Sequence, residues 1–364
     1  MKPIILCVVG TRPEAIKMAP VIQQLQKDGW ADVRVLLTAQ HRELVDQVFN
    51  HFGIVPDFDL NLMSPNQSLT ELTSKILIET DKIITTVNPA CIVVQGDTTT
   101  VLAVSLAGFY KHIPIAHVEA GLRTGDLSNP FPEEANRVLT SKMTRWHFAP
   151  TQEASLNLLN EGVNPSRITI TGNTVIDALE ATVSGLPATN TNSHKRQVLI
   201  TLHRRENFGA PLEEALKAIA QLASEYPEVE FIFPVHPNPN VRAVTGKILS
   251  NKENVSLVEP FEYPQFVRAM RDSHFIITDS GGVQEEAPFL GKPILVLRNE
   301  TERPEAVAAG LVKLIGTDGG KILEFSRMLL DDNDFYSSMS KGYSPYGDGK
   351  AAGRISNVLR TSLS

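Results

Sequence analysis

Several acid and base side chains stand directly after short apolar runs, where they could exchange protons with a bound substrate. Asp97, Glu119 and His203 each follow such a run within two residues. Because ligands of open α/β sheets bind beyond the carboxyl ends of the strands, we expect these three groups at a site. Asp97 has an alternative role as a helix N-cap, whereas Glu119 has no comparable capping role. Glu133 and Glu134 follow a proline, and they either take part in the chemistry or favour a helix N-terminus through its dipole.

The turn GTRPEAIK, at 10–17, is suited to binding an anion. It follows the first apolar run and places Arg12 and Lys17 near the positive end of a helix in which Pro13 fits the first turn. Helix N-termini of this kind hold phosphate readily, so the octapeptide predicts an anion site. The alternative is a tight turn with solvated cations.

A second turn, TDSGGVQEE at 278–286, carries a sharper signal. An apolar run leads there into a glycine pair that opens a helix, so the bare backbone amides there can approach a phosphate closely. Glu286 lies one helical turn further on and could accept hydrogen bonds from ribose hydroxyls, and Arg303 adds a cation. These residues predict a nucleoside diphosphate site. The alternative is a glycine-rich turn before an exposed acidic helix.

The sequence argues against bound cofactors and metals. The first turn is not G-x-G-x-x-G, and the second apolar run ends at Gln40 without the acidic residue that would hold a dinucleotide ribose. Neither a Cys/His cluster nor an H-E-x-x-H pattern occurs, although His203 and His236 both stand at strand ends.

Cys7 and Cys91 lie within apolar runs, which predicts buried free thiols in a reducing compartment and favours a cytoplasmic location.

The composition is that of an ordinary soluble globular protein. The chain has 364 residues, of which 42% are hydrophobic and 21% charged, and this length suits two domains of about 180 residues each. A formal net charge of −7 argues against a nucleic-acid partner. The apolar runs all fall short of the roughly 18 residues that a membrane helix needs, so we expect no membrane span.

Short β-branched runs alternate with segments of helical spacing, which predicts an α/β protein with two doubly wound parallel sheets. The polar segment 184–197 predicts a linker between an N-terminal Rossmann-like domain at 1–183 and a C-terminal one at 198–345. The predicted strands are Ile4–Val9, Val33–Thr38, Cys91–Gln95, Ile113–Val118, Trp146–Ala149, Ile168–Ile170, Val198–Leu202, Glu230–Val235, Val255–Leu257, Phe275–Thr278, Ile294–Leu297 and Val312–Ile315.

The sequence closely resembles the non-hydrolysing UDP-N-acetylglucosamine 2-epimerases in motifs that span nearly the whole chain: GTRPEAIKMAP, QGDTTT, HVEAGLRTGD, PEEANR, TGNTVID, HRREN, PVHPNPNVR, TDSGGVQEEAP, ERPEAV and PYGDG. The resemblance implies the GT-B fold, with two Rossmann-like domains facing across a cleft and a last helix, within 346–364, that crosses back to the first domain. It implies reversible inversion at C2 between UDP-N-acetylglucosamine and UDP-N-acetylmannosamine, through elimination of UDP to 2-acetamidoglucal and its re-addition. A homodimer that supplies surface polysaccharide synthesis is expected on the same grounds.

The resemblance also implies roles for individual residues. Four match catalytic positions, namely Asp97, Glu119, Glu133 and His203. Eight match contacts to the UDP-sugar, namely Arg12, Lys17, Phe266, Ser280, Gly281, Gly282, Glu286 and Arg303. Some members bind a second UDP-N-acetylglucosamine as an activator, and four residues match positions near it, namely Gln40, His41, Arg204 and His236. Glu43 and Asn66 replace Gln and Arg of other members, which predicts weaker or absent activation.

Other functions remain open at this level. A GT-B glycosyltransferase would use the same UDP site but needs an acceptor groove, and a hydrolysing epimerase is usually joined to a kinase domain for which no residues remain. A UDP-sugar sensor without activity would keep 280–286 and lose the strand-end carboxylates, which are present. A relative acting on a 2,3-diacetamido uronic acid would share most motifs, although GTRPE and RTGD favour the simpler substrate.

Overall fold

The computed structural model of the chain describes residues 2–38, 42–64, 67–188, 195–301, 303–342 and 344–363, with the backbone alone at Arg42, Glu43 and Arg205. These residues fold into two compact units. Unit 1 comprises Met1–Glu180 and Tyr346–Ser364, and unit 2 comprises Ala181–Pro345. Part of the segment predicted as a linker, 189–194, lies outside the described residues.

Unit 1 is built on a parallel sheet with the order β3-β2-β1-β4-β5-β6-β7. Its strands are β1 (Ile4–Val9), β2 (Asp32–Leu37), β3 (Phe58–Asp59), β4 (Cys91–Gln95), β5 (Ile115–Val118), β6 (Thr144–Ala149) and β7 (Ile168–Ile170). Its helices are α1 (Arg12–Asp28), α2 (Arg42–Phe52), α3 (Leu69–Val87), α4 (Thr99–Tyr110), α5 (Glu133–Met143), α6 (Gln152–Asn160) and most of α7 (Thr174–Gly185), with a 3₁₀ turn at Pro165–Arg167.

Unit 2 repeats the plan with a parallel sheet of order β10-β9-β8-β11-β12-β13. Its strands are β8 (Gln197–Thr201), β9 (Glu230–Pro234), β10 (Val255–Val258), β11 (Phe275–Thr278), β12 (Ile294–Val296) and β13 (Val312–Leu314). Its helices are α8 (Ala210–Glu225), α9 (Pro239–Leu249), α10 (Tyr263–Asp272), α11 (Gly281–Glu286), α12 (Pro304–Ala308), α13 (Gly319–Asp331) and α14 (Asn333–Met339), with a 3₁₀ turn at Arg205–Asn207.

The last helix, α15 (Ala351–Leu363), belongs to unit 1. The backbone amides of Ala351 and Ala352 at its first turn donate hydrogen bonds to the carboxylate of Asp177, at 3.2 and 2.8 Å. One turn further on, the indole nitrogen of Trp30 donates to Oγ of Ser356 at 3.1 Å. The hydroxyl of Ser356 in turn donates to Oδ2 of Asp28, the last residue of α1, at 2.5 Å. An acidic side chain at the positive end of the helix and these polar contacts therefore fix it to this unit.

The predicted fold class is confirmed, because both sheets are parallel and doubly wound. All the predicted strands are present, with ends that differ by two residues at most. The prediction missed β3, which has two residues at a sheet edge and is too short to show a pattern. In the described part of the chain, no helix is both long and apolar enough to cross a membrane.

Each sheet reverses its order of strands once, next to its first strand. In unit 1 the reversal lies between β1 and β4, and in unit 2 it lies between β8 and β11. The β8–β11 register pairs Thr201 with Thr278, so the residues that follow these two strands are neighbours. Such switch points are where α/β sheets bind ligands, and both are followed by the polar residues that the sequence singled out.

Candidate functional site

In unit 1, Glu119 is held by one side chain from α1 and one from the end of β4. Nζ of Lys17 donates to Oε2 of Glu119 at 2.5 Å, and Nε2 of Gln95 donates to the same oxygen at 3.2 Å. The side chains of Lys17 and Glu119 are 12% and 8% exposed, so the pair is largely shielded from water. Two residues predicted to bind substrate and to catalyse are thus in direct contact.

The backbone of Glu119 is in a conformation that is uncommon for a residue with a side chain. Its φ is 63°, in the left-handed region. Such a conformation costs about 1 kcal/mol or more and persists where the surrounding structure requires it, often at functional sites. Here the turn after β5 directs the carboxylate toward Lys17, and the ion pair helps to offset that cost.

Asp97 forms the second carboxylate contact of unit 1. Nη2 of Arg137 lies 2.8 Å from Oδ2 of Asp97, and Nδ2 of Asn136 donates to the backbone carbonyl of Asp97 at 2.9 Å. The N-cap of α4 is Thr98, not Asp97, so capping does not explain the acidic residue at this position. A carboxylate held in place by a guanidinium is oriented for proton exchange with a ligand.

The two glutamates at the start of α5 have different environments. Glu134 is 1% exposed, and its Oε1 accepts hydrogen bonds from the amides of Thr124 and Gly125 at 3.0 and 3.1 Å. Its Oε2 lies 3.4 Å from Nη1 of Arg137, so Glu134 organises a loop and supports the arginine. Glu133 is half-buried, and within the described residues its carboxylate forms no recorded hydrogen bond or ion pair. Glu133 is therefore the more accessible of the two.

The turn after β1 binds an acidic side chain of its own. Oε2 of Glu14 accepts hydrogen bonds from the amides of Gly10 and Thr11, at 2.5 and 2.8 Å, and Oε1 accepts one from the hydroxyl of Thr98. Burial raises the pKa of Glu14 to about 7, against the lowering effect of these hydrogen bonds. The two amides just before α1, in the turn predicted to bind an anion, are thus bonded to a side chain of α1. Arg12 is half-buried at the helix start.

In unit 2, His203 and Asp279 are adjacent at the ends of β8 and β11. Nδ1 of His203 lies 3.2 Å from Oδ1 of Asp279, and the amides of His203 and Arg204 donate to the same carboxylate at 2.9 to 3.1 Å. Burial alone would raise the pKa of Asp279. The hydrogen bond and charge of His203, together with the two amides, outweigh burial and hold that pKa below its usual range.

His236 stacks on His203, with ring centroids 5.8 Å apart and an angle of 18° between the planes. Partial burial and the charge of His203 lower the pKa of His236. Nδ1 of His236 accepts a hydrogen bond from the amide of Asn238 at 3.2 Å. The two histidines that the sequence distinguished by their strand-end positions are therefore neighbours in space.

The glycine pair after β11 lies under two guanidinium groups. A Cβ placed on Gly281 would be 3.5 Å from Cζ of Arg303 and 3.6 Å from Nη2 of Arg204. Arg303 is held by Glu285, whose Oε1 accepts from Nε at 2.9 Å. Two positively charged groups thus lie close together beside the backbone of Gly281. An anion bound there would reduce their mutual repulsion, so the position favours an anion. Ser280 and Gly282 flank this position in the chain.

Glu286 and Phe266 are both connected to α10. The hydroxyl of Tyr263, the first residue of α10, donates to Oε1 of Glu286 at 3.0 Å, and both residues are nearly fully buried. Phe266 lies one turn along the same helix and is half-buried. Tyr263 thus fixes the carboxylate that was predicted to bind ribose.

Of the positions connected with the expected activator, three lie outside the described residues, and a fourth is described by its backbone alone. Gln40, His41 and Asn66 lie outside the described residues, as does the side chain of Glu43. The other two, Arg204 and His236, lie in unit 2 beside Gly281 and His203, respectively.

Comparison with known proteins decides the family. The family model described as UDP-N-acetylglucosamine 2-epimerase matches residues 23–360. The chain belongs to the UDP-N-acetylglucosamine 2-epimerase family. It is 50% identical to the Escherichia coli O157:H7 UDP-N-acetylglucosamine 2-epimerase over 370 aligned residues, which cover 98% of both chains.

Solved structures of related proteins agree with this family assignment. The Neisseria meningitidis UDP-GlcNAc 2-epimerase, solved with UDP-GlcNAc, is 48% identical with a TM-score of 0.91, over 98% of this chain and 100% of that one. The S. aureus protein MnaA, solved with UDP, is 45% identical with a TM-score of 0.90, over 99% of this chain and 97% of that one. The chain is therefore an α/β isomerase of this family by sequence and by fold.

Most of the residues that hold the candidate catalytic and binding side chains in place were not identified from the sequence. Gln95 and Arg137 lie within the motifs QGDTTT and PEEANR, but the sequence gave neither of them a role, and Tyr263 lies outside the quoted motifs. Glu14 was missed as well, although Thr11 and Glu14 have the spacing of a capping box, a signal that could have identified it.

Proposed function

We propose that the chain catalyses reversible C2 epimerisation of UDP-N-acetylglucosamine to UDP-N-acetylmannosamine, by elimination and re-addition of UDP through 2-acetamidoglucal. The observation that carries the proposal is the pair of strand-end carboxylates in unit 1, each in contact with a cation: Glu119 with Lys17 and Asp97 with Arg137. Membership of the epimerase family supports the substrate, since the N. meningitidis relative was solved with UDP-GlcNAc.

The reaction needs both a base and a stabilised leaving group. The C2 proton of the sugar is weakly acidic, so the C1–O bond to UDP must break as a carboxylate takes that proton and the C1–C2 double bond forms. Re-addition of UDP, with proton delivery to the opposite face of C2, gives the other epimer. Asp97, Glu119, Glu133 and His203 are the proposed acid and base groups.

The negative charge that develops on departing UDP needs cations and amides that are already in place. We propose that Arg303, Ser280 and the amides of Gly281 and Gly282 supply them, with Arg12 and Lys17 as further contacts; the Ser280 amide itself is bonded to Oγ1 of Thr278, at 2.9 Å. Glu286 is proposed to bind the ribose, and Phe266 to contact the nucleotide. The solved complex of the S. aureus relative with UDP supports a nucleotide in this role.

Further parts of the proposal concern regulation, assembly and location. Gln40, His41, Arg204 and His236 are proposed to contact a second, activating UDP-N-acetylglucosamine, and the chain is proposed to act as a homodimer. Two buried free thiols, Cys7 and Cys91, support a cytoplasmic location, since neither forms a disulfide. The product would supply surface polysaccharide synthesis.

Proton NMR in deuterium oxide tests the reaction. The purified protein is mixed with UDP-N-acetylglucosamine without added metal or NAD, and the anomeric and C2 signals are followed. UDP-N-acetylmannosamine that carries deuterium at C2 would support epimerisation by proton exchange. Free N-acetylmannosamine would instead show hydrolysis, and unchanged signals would favour the glycosyltransferase alternative.

A further inference from the structure

The buried carboxylate of Asp279 has no part in the reaction described above, although it contacts a proposed catalytic group. Asp279 is 0% exposed, and its Oδ2 accepts hydrogen bonds from the amides of His203 and Arg204 and from Nδ2 of Asn207, at 2.9 to 3.1 Å. Its Oδ1 is shared between the amide of His203, at 3.1 Å, and the ring nitrogen Nδ1 of His203, at 3.2 Å. Asp279 therefore contacts both the backbone and the ring of one residue.

The geometry determines which nitrogen of the neutral ring carries the proton. The amides of His203 and Arg204 and Nδ2 of Asn207 all donate to Asp279, which favours its ionised form. An ionised carboxylate can only accept hydrogen bonds, so the ring nitrogen that faces it must be protonated. Nδ1 of His203 is that nitrogen, which leaves Nε2 with a lone pair and directed away from Asp279. The His203 side chain is 39% exposed, so a ligand can reach it.

A second contact restricts rotation of the same ring. His236 stacks on His203 at 5.8 Å, and His236 is itself oriented by the amide of Asn238, which donates to its Nδ1. The carboxylate of Asp279 contacts the edge of the His203 ring, and the imidazole of His236 covers one of its faces. Together they restrict the orientation of the ring. This arrangement is more specific than capping a turn requires, since the amides and Asn207 already satisfy Oδ2.

We propose that Asp279 is a positioning residue for His203: it fixes Nδ1–H and thereby presents Nε2 as the nitrogen that exchanges a proton with the bound sugar nucleotide. The proposal rests on the proposed epimerase function for the identity of the ligand, but not for the geometry. Because Ser280, Gly281 and Gly282 follow Asp279 directly, this aspartate also connects the histidine to the segment proposed to hold the diphosphate.

The tautomer of His203 gives a test that does not depend on turnover. Ring ¹⁵N spectra are recorded at about pH 8.5, where an ordinary imidazole is neutral, and the His203 signals are assigned with His203→Gln. The wild-type ring should be protonated at Nδ1. In Asp279→Asn the amide oxygen can take the donors at the Oδ2 position, which turns its NH₂ toward Nδ1 and should shift the proton to Nε2.

Turnover and UDP binding separate positioning from a structural role. Asp279→Asn should lower kcat by about a hundredfold or more, as expected when a histidine is held in the wrong tautomer, with little change in the Kd for UDP. Asn207→Ala removes a donor to the same carboxylate without touching the ring, so it should keep the wild-type tautomer and retain kcat within about threefold. The double variant Asp279→Asn/His203→Gln should be no slower than His203→Gln alone.

Three results would overturn the proposal: a wild-type ring protonated at Nε2, an unchanged tautomer in Asp279→Asn, or losses of kcat that add in the double variant. The first of these needs no variant, so the proposal stays testable even if Asp279→Asn does not fold. A failure of the epimerase function would appear separately, as a wild-type protein that shows the expected tautomer and no epimerisation.

Discussion

Lys17 and Glu119 are 102 residues apart in the sequence, and their charged groups lie 2.5 Å apart in unit 1. Lys17 lies in the second turn of the helix that follows β1, and Glu119 directly follows β5, so the contact depends on the strand order of the sheet. Glu119 also has a left-handed backbone that turns its carboxylate toward this cation. Lys17, a proposed substrate contact, and Glu119, a proposed catalytic group, therefore form an ion pair within unit 1 before any ligand binds.

Removing the cation of this pair should destabilise unit 1. Lys17→Met leaves a largely buried carboxylate without its cation, which should lower the free energy of unfolding by about 3 kcal/mol. Both tryptophans, Trp30 and Trp146, lie in unit 1, so their fluorescence in urea reports this unit selectively.

The matched control is Lys82→Met, because Lys82 pairs with Glu79 at 2.7 Å on the exposed face of α3. It should change the unfolding free energy by about 0.5 kcal/mol or less. Equal effects of the two variants would show that the Lys17–Glu119 pair is no more buried in solution than a surface pair.

Glu14 should make unit 1 less stable as the pH rises. Burial raises its pKa to about 7 in the folded state, whereas an unfolded glutamate titrates near 4.3. The folded state thus binds the proton more tightly, so the stabilisation is complete below about pH 4 and is lost as the pH rises through about 7. Glu14→Gln keeps acceptors and donors for Gly10, Thr11 and Thr98 without a charge to bury.

Relative to wild type, Glu14→Gln should therefore gain about 2 kcal/mol or more of unfolding free energy between pH 5 and pH 8.5, measured by urea titration of tryptophan fluorescence. The comparison is made between the two proteins at each pH because burial also lowers the pKa of His117 to about 4 and of His147 to about 3. Those histidines weaken the fold in acid in both proteins alike. A difference that does not change with pH would contradict the raised pKa of Glu14.

The strand ends could be predicted from sequence because each is marked locally. The predicted strands end at Gln95, Val118 and Thr278, and an acidic residue follows each of them within two residues, which is visible without a structure. The glycine pair at Gly281 and Gly282 is local in the same way. These signals place the candidate groups just beyond the carboxyl ends of the strands in each sheet.

The partners of these groups could not be predicted, because they come from distant parts of the chain. Arg137 reaches Asp97 from a helix 40 residues away, and although it lies in the motif PEEANR, its own segment does not show which carboxylate it contacts. The donors to Asp279 likewise come from the segment after β8, more than 70 residues earlier. Strand order, and not local pattern, creates these contacts.

Asp97→Asn should separate proton transfer from binding. The amide cannot accept the proton that a carboxylate takes, so turnover should fall by about a hundredfold or more, with the Kd for UDP nearly unchanged. Turnover is measured by NMR and binding by calorimetry. Asp81→Asn is the control, since Asp81 pairs with Lys111 on the surface of unit 1 and should retain full turnover. Near-normal turnover in Asp97→Asn would remove Asp97 from the proposed proton-transfer groups.

A methyl group at Gly281 should weaken UDP binding without disturbing the fold. The added Cβ would lie 3.5 Å from Cζ of Arg303 and 3.6 Å from Nη2 of Arg204, which are ordinary contact distances. Gly281→Ala is therefore expected to fold, but its methyl group occupies the space above the backbone where a phosphate would approach. The Kd for UDP, measured by calorimetry, should rise about tenfold or more.

Gly246→Ala provides the matched control in the same unit, because Gly246 lies within α9 and a Cβ there would meet nothing within 4 Å. This variant should bind UDP as wild type does and gain up to about 1 kcal/mol of stability from its higher helix propensity. If Gly281→Ala binds UDP equally well, the diphosphate does not approach the glycine pair, and Arg204 and Arg303 must be gathered there for another reason. If instead both variants lose affinity together, the loss reflects the stability of unit 2 and not contact with the phosphate.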